Sequence, residues 1–349
     1  MYNEILLEVY IMRWDMGIDL GTGNVRMATP ESGLMLDEPA LVALRGEDTA
    51  VYMGENAWRL LGREPMGMRV TGPLKDGVPE SSVCTTRLFQ WLFRKMGERR
   101  RRLSVLVSCS PAARPVYREA LMQSALDAGA TDIALVRSDA VSARGSGGDL
   151  MGPQTTFVVD VGAGKMTATV FALGREIASG AVPYGTNRIN ERIISALRAD
   201  YGFAIGWRTA EEIKLALSSA HPGDLSKVKT RAAGLDIYER APRLAEISPE
   251  LIAKLCVDPL RELMGVCQAV ISEAPEEVSA DLNDVGAVLT GGGAQIPGLD
   301  KLIGDTLGNP CSIADSPALC GIKGMNAMLL EPDRYDALIW QRMAIAQRR

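Results

Sequence analysis

The sequence of 349 residues contains one histidine, His221, which is followed by Pro222. A single imidazole excludes zinc sites built on histidine pairs and argues against Ser-His-Asp hydrolysis. Its place before proline reads as a surface loop. The six cysteines, Cys84, Cys109, Cys256, Cys267, Cys311 and Cys320, form no C-x-x-C pair, and no signal peptide precedes them. Scattered thiols of this kind read as reduced side chains of a cytosolic protein. No apolar run approaches the roughly 20 residues that cross a bilayer. An excess of positive charge is also missing. The formal net charge is −5, which disfavours nucleic acid as a partner, so any basic surface must be local.

Against these absences stand 47% hydrophobic and 23% charged residues, the composition of a chain with a packed core. At roughly 150 residues per domain, the length gives two domains. The most informative stretch is Val158-Val159-Asp160-Val161-Gly162-Ala163-Gly164-Lys165-Met166-Thr167. A β-branched run ends in an aspartate, passes through a turn of small residues and re-enters an apolar run, the pattern of a β-hairpin with a nearly bare turn. Glycines there let peptide N–H groups converge on an anion. The aspartate cannot bind phosphate directly but can hold a metal's water shell. The design occurs earlier, at Asp19-Leu20-Gly21-Thr22-Gly23-Asn24, so a duplicated fold gripping one phosphorylated ligand from two sides is expected. A third turn, Gly291-Gly292-Gly293, follows the buried run ending Leu289-Thr290. Three consecutive glycines carry an entropic cost that a flat ligand lying against peptide planes would justify. Gly164-Lys165 is not a P-loop, because Val159 and Met166 stand where that motif needs Gly and Ser or Thr.

In chain order, residues 1–11 are apolar with two glutamates and read as an edge strand or as an extension before a start at Met12. Acidic polar residues argue against a membrane-surface helix there. Short strands and a helix around Glu55–Leu61 suggest a small inserted subdomain from Leu34 to Arg63. A helix over Ser82–Met96 runs into Arg99, Arg100, Arg101, Arg102 and Leu103, beside Trp91 and Phe93. A charge run is ordinarily solvated, but one flanked by apolar residues is a candidate for anionic lipid. Alternation of strands with helices such as Pro115–Ala128, closed by Gly129, gives an α/β class with a largely parallel sheet. Further on, Thr209 reads as a helix cap, 225–247 as a β-rich insert, and Pro249–Glu273 as a long helix broken near Pro259. Pro317–Leu330 reads as a last helix before a basic tail.

The three glycine turns, in this order, resemble the phosphate-1, phosphate-2 and adenosine motifs of the actin-like ATPase superfamily. Within it, the stretches GIDLGTGN, EPALVAL, VYMGENAWRLLGREP, PLKDGV, VVDVGAG, GWRTAEEIKLALSSAHP, VLTGGGAQIPGLDKLI and SPALCGIKGMNAML resemble the bacterial actin MreB family from about Met12 to Leu330. The resemblance implies a duplicated, ribonuclease H-like two-lobe fold with four subdomains and a nucleotide cleft between the lobes. Residues 12–33, 73–145 and 320–349 would form the core of lobe I, with 34–72 as its small subdomain. Residues 146–185 and 243–319 would form the core of lobe II, with 186–242 as its small subdomain. ATP or ADP would meet Thr22, Gly23 and Asn24 from one side and Gly162, Ala163 and Gly164 from the other. Asp19 and Asp160 would orient the waters of Mg²⁺. Glu211, Lys214 and Ser218, on one helix face, would border ribose and adenine with Gly291, Gly292 and Gly293 behind; without the resemblance, Glu211–Lys214 would read as a surface ion pair.

The chain departs from the family pattern where hydrolysis takes place. A Glu-Glu-Pro loop with a water-positioning glutamate is replaced by Arg137, Ser138 and Asp139, and the usual Thr-Thr after the phosphate-2 glycines by Lys165 and Met166. Phosphoryl transfer depends on positioning the nucleophile, so slow hydrolysis is expected, with Lys165 holding the γ-phosphate and Asp139 as a short-reach substitute for the glutamate. The resemblance further implies self-assembly into filaments or co-assembly with a second MreB. It also implies a cytoplasmic location on the inner membrane face, contact with cell-wall elongation machinery and a role in rod shape. A hydrolysis-deficient scaffold is the alternative. A sugar kinase would need a catalytic aspartate and a polyol pocket that are not found in the sequence, and a chaperone would need a substrate-binding domain.

Overall fold

A computed structural model describes residues 14–47, 49–97, 102–227 and 229–345. The expected extension 1–11, the start at Met12, and Arg99, Arg100 and Arg101 lie outside the described residues.

Two sheets carry the fold, and they share one plan. In the first, Gly33–Pro39, Asn24–Thr29 and Met16–Leu20 form an antiparallel meander. Ser104–Cys109 then pairs parallel to Met16–Leu20, and Asp132–Arg137 parallel to Ser104–Cys109. In the second, Arg175–Val182, Met166–Ala172 and Thr156–Val161 repeat the meander, followed by the parallel strands Ala287–Thr290 and Cys311–Ile313. The duplication inferred from two similar hairpins is therefore a duplication of sheet topology. Parallel strands are covered by helices on their faces, and their sequences are correspondingly apolar. The parallel strand Ala287–Thr290 is buried at three of its four positions and Asp132–Arg137 at its four central ones; the antiparallel Met166–Ala172, inside the second sheet, is buried at every position. Each half carries a small three-stranded sheet. One places Val42–Arg45 between Thr49–Met53 and Met68–Thr71; the other runs Phe203–Ala204, Thr230–Asp236, Ala241–Ile247.

The edge strand Gly33–Pro39 belongs to the first large sheet, so the small insertion begins after it and not at Leu34. Thr209 caps nothing: the helix starts two residues earlier, at Trp207, with Gly206 at its N-cap. The helix Pro249–Glu273 is continuous through Pro259. Ile252, Cys256, Pro259, Leu260, Leu263, Cys267 and Val270 form its buried stripe, and this packing outweighs the one hydrogen bond that proline removes. The basic tail contains a strand, Ile339–Ala344, antiparallel to Asp132–Arg137. It is anchored by the Arg118 guanidinium 3.9 Å from the Trp340 ring centroid and by Arg342 Nε, 2.9 Å from Asp132 Oδ1.

The two halves are joined by crossed helices, Ser138–Gly145 and Cys320–Leu330. Each presents a glycine at the crossing. A Cβ on Gly145 would fall on the carbonyl oxygen of Cys320, and one on Gly324 on that of Val141. Small residues at these points allow backbone-to-backbone approach, and both helices start at the cleft. We expect Gly324→Ala to destabilise the protein by about 1–3 kcal/mol through forced separation of these helices, read as a lower urea midpoint. Gly265→Ala, on an exposed helix position with open space around it, should raise the midpoint slightly.

Candidate functional site

Where the halves face each other, the two hairpin turns meet. They are built alike: Gly21 N–H donates to the Asn24 carbonyl at 3.0 Å, and Gly162 N–H to the Lys165 carbonyl at 2.8 Å. Missing Cβ atoms set their approach. A side chain on Gly164 would strike Thr22, and one on Gly23 would press on the Ala163 methyl at 3.0 Å. Thr22 Oγ1 accepts from Gly77 N–H at 3.0 Å, tying the turn to the loop above it.

Around this junction lies an inner cavity of about 180 Å³ that opens into an outer cleft of about 860 Å³. The predicted residues Asp19, Thr22, Gly23, Asn24, Gly162, Ala163, Gly164, Lys165, Asp160, Ser138, Gly291 and Gly292 all line the inner cavity. Glu211, Lys214, Ser218 and Gly293 line the outer one. Helices Ser138–Gly145 and Cys320–Leu330 begin at the inner cavity, and Asn187–Tyr201 at the outer cleft. The positive ends of these helix dipoles favour an anion there.

The glycine triplet divides its work. A Cβ on Gly291 would meet the Val161 carbonyl and one on Gly293 the Val161 side chain, whereas Gly292 has open space. Close approach to the protein's own strand end fixes two of the three; only Gly292 is bare toward the cleft. Glu211 and Lys214 are joined at 2.7 Å, with Lys214 buried, and the Asn190 amide also donates to Glu211 at 2.5 Å. This pair is part of the cleft wall and not a solvated surface ion pair.

Two expectations fail. Asp139 is fully buried and turned out of the cavity. Its carboxylate receives Arg137 Nε at 3.0 Å and a second Arg137 nitrogen at 2.6 Å. Thr169 Oγ1 donates to it at 2.7 Å and Ala140 N–H at 2.9 Å. Arg137 also pairs with Glu176. A carboxylate so saturated has no lone pair to orient a water, so Asp139 does not substitute for the family's glutamate. Met166 points into the core of the second half; the side chain facing the cavity after Lys165 is Thr167. Among the apolar candidates for lipid contact, Leu103 is buried, Phe93 stacks on Phe89 with ring centroids 5.8 Å apart, and Trp91 is half-buried beneath the Lys95 ammonium at 5.2 Å. Arg102 is exposed.

The structure adds residues that the sequence reading passed over. Arg26 is the cross-strand partner of Asp19 and lines both parts of the cleft. Its Nη1 lies 3.8 Å from Asp19 Oδ2 and its Nε 3.1 Å from Asp37 Oδ1. Period two was the available signal: two strand residues equidistant from a tight turn face each other. Ser110, Ser142 and Thr167 add hydroxyls. The Lys165 ammonium crosses from its own hairpin to the Ser110 hydroxyl of the other half.

Burial sets the titration of these groups. It pushes the Lys165 ammonium down to about 8, against the pull of Asp139 and Cys109. It raises Asp160 to about 6 although the Thr290 hydroxyl donates to it at 2.8 Å. It raises Asp19 as well, opposed by Arg26 and by the Ser108 hydroxyl at 2.8 Å. No group of three or more His, Cys, Asp or Glu placed to hold a metal occurs among the described residues. The two candidate carboxylates share their cavity with two cations, so the residues present do not fit a resident Mg²⁺.

Residues 13–337 match the family model described as MreB/Mbl protein. The chain belongs to the MreB/Mbl family. The cell shape-determining protein MreB of Escherichia coli K12 is 32% identical over 319 residues, 89% of this chain and 91% of that protein. The cell shape-determining protein Mbl of Bacillus subtilis 168 is 29% identical, over 92% of this chain and 97% of that protein. MreB5 of Spiroplasma citri bound to ADP superposes with a TM-score of 0.86 at 25% identity, covering 92% of this chain and 97% of that one. Its AMPPNP-bound form gives the same TM-score. The fold is thus the actin-like one that the glycine turns suggested. The Arg137–Asp139 loop is pinned from both sides. Replacing Arg137 with Met should cost about 3–5 kcal/mol, because it leaves Asp139 buried without its cation. Arg137→Lys should cost less, and urea unfolding at pH 7 separates the two.

Proposed function

We propose that this chain is an actin-like cytoskeletal protein of the cell-shape type that binds ATP or ADP in the cleft and assembles into filaments. On this reading the inner cavity takes the phosphates, at the two bare turns and the helix N-termini, and the outer cleft takes the nucleoside. Support comes from the arrangement of the three glycine turns and from the nucleotide complexes of the Spiroplasma citri MreB5 structures, which share the fold. Filaments follow from a heterologous interface that repeats without closing, formed with further copies or with a second MreB. On the same reading it serves rod shape through the cell-wall elongation machinery at the inner face of the membrane, and its family membership supports this. No helix among the described residues is long and apolar enough to cross a membrane. With Leu103 committed to the core, lipid contact would rest on charge around Arg102, at about 1 kcal/mol per basic residue near an anionic surface.

We further propose slow turnover, which favours a nucleotide-bound scaffold over a cycling filament. One observation carries this: Ser138, which the resemblance sets in place of a water-positioning glutamate, lines the inner cavity, while Asp139 is sequestered by Arg137. A hydroxyl is too weak a base to take a proton from water at neutral pH. Ser138→Glu should raise single-turnover phosphate release by roughly a hundredfold, the lower end of the usual return from a positioned general base. An unchanged rate would remove the assignment.

The depressed Lys165 gives a second test. In the free protein its folded-state pKa of about 8 lies below its unfolded value of 10.5. The charged form therefore costs stability below pH 8, and the cost fades as pH rises through 10.5. A bound triphosphate reverses the sign by favouring the ammonium. Nucleotide binding at pH 9 should therefore take up most of a proton and at pH 7 almost none, measured calorimetrically in buffers of different ionisation enthalpy.

A further inference from the structure

We infer that the cleft takes its nucleoside triphosphate without a divalent cation, the positive charge being supplied by Arg26 and Lys165. The inference rests on the nucleotide-binding reading above and deepens it. A metal at a phosphate site neutralises the β- and γ-oxygens and fixes their orientation. Here two side chains are placed to do this from opposite walls.

Arg26 rises from the first sheet, directly across the ladder from Asp19. It forms ion pairs with Asp19 and Asp37 but makes no hydrogen bond among the described residues, and its buried Nε lacks an aligned acceptor. Its Nη groups make no hydrogen bond to the described residues and can turn to phosphate oxygens, which match guanidinium geometry. Lys165 comes from the second hairpin, at the place equivalent to Asn24 in the first. Its ammonium rests on the neutral Ser110 hydroxyl, and no carboxylate pairs with it among the described residues. Both cations line the inner cavity.

Each carboxylate that would have to hold a metal's waters already accepts a hydroxyl. Asp19 takes the Ser108 hydroxyl and faces Arg26, and its other side is closed by the backbone at Gly321. Asp160 takes the Thr290 hydroxyl. Across the second ladder from Asp160 stands Thr167, not a cation. Two carboxylates and two cations line the cavity before any ligand arrives, with Asp37 held against Arg26 behind them. A dication would meet side chains whose charges balance within one unit in place of a dianionic pair, and a polyphosphate would meet the same side chains with the positive ends of two helices added.

The test is a titration of the full-length protein with fluorescent mant-AMPPNP, in millimolar magnesium and separately in EDTA. The wild-type dissociation constants should agree within about threefold, and the Arg26→Leu/Lys165→Thr double variant should bind at least roughly tenfold more weakly in EDTA than in magnesium. Lys165→Arg, which keeps the charge, should remain metal-independent. The single variant Lys165→Met should show a partial magnesium requirement and serves if the double variant does not fold, which a thermal melt reveals. Wild-type binding that is tight in magnesium and lost in EDTA would overturn this inference and leave the nucleotide-binding reading intact. No binding in either condition would overturn both. Metal independence that survives loss of both cations would overturn the assignment to Arg26 and Lys165.

Discussion

The crossing of helices Ser138–Gly145 and Cys320–Leu330 is the constraint from which the rest of the site follows. Glycines 145 and 324 let the two backbones touch, and that contact sets the separation of the two sheets. The separation in turn brings the hairpin turns together, so that Gly164 must be bare because Thr22 lies against it. The same helices that join the halves deliver their N-termini to the inner cavity, through Ser138 and Gly321. Mechanical linkage and anion field are therefore properties of the same two elements. A change in the angle between the halves would move the turns and the helix dipoles together.

Burial is the second organising term. The cleft floor takes carboxylates and cations out of water, and each responds in the direction desolvation dictates: Asp19 and Asp160 upward, Lys165 downward. The neighbouring Arg137–Asp139–Glu176 set shows the other solution to the same problem. There every charge has an opposite partner and Asp139 has its remaining oxygens filled by Thr169 and Ala140. Such a saturated network is rigid and chemically silent. The cavity groups, by contrast, retain unused donors, which is the state expected of a site that acquires its partners from a ligand.

Much of this was readable in the sequence, because local rules dominate where backbone conformation does. Runs of β-branched residues ending in Asp-x-Gly specify a strand and its turn, and Pro115 with Gly129 specifies both ends of a helix. What escaped was set by tertiary partners. Asp139 looked available because nothing local shows that Thr169, thirty residues on, closes its free side. Pro259 looked like a break because the burial of its whole stripe is invisible to a local rule. The tail strand Ile339–Ala344 depends on a pairing with Asp132–Arg137 more than two hundred residues away. The triple glycine was read as a ligand surface, yet Gly291 and Gly293 answer to Val161. A requirement for glycine does not by itself say whether the neighbour is ligand or protein.

The two halves repeat one topology, and their differences are concentrated at the cleft. Opposite the strand-end aspartate stands Arg26 in the first half and Thr167 in the second. At the close of the turn stands Asn24 in the first and Lys165 in the second. Each half thus contributes one cation, but from a different register position, so the two lie on different walls and not along one edge. Tethered cations differ from a metal in one physical respect: they cannot leave with the product. On the proposed reading, charge that stays with the protein holds a triphosphate as firmly after binding as at encounter, while the hydroxyl of Ser138 offers little push toward cleavage. On that reading, retention and slow turnover are two consequences of one arrangement, in which Arg26 and Lys165 fix charge and the hydroxyl of Ser138 draws little on a water's proton.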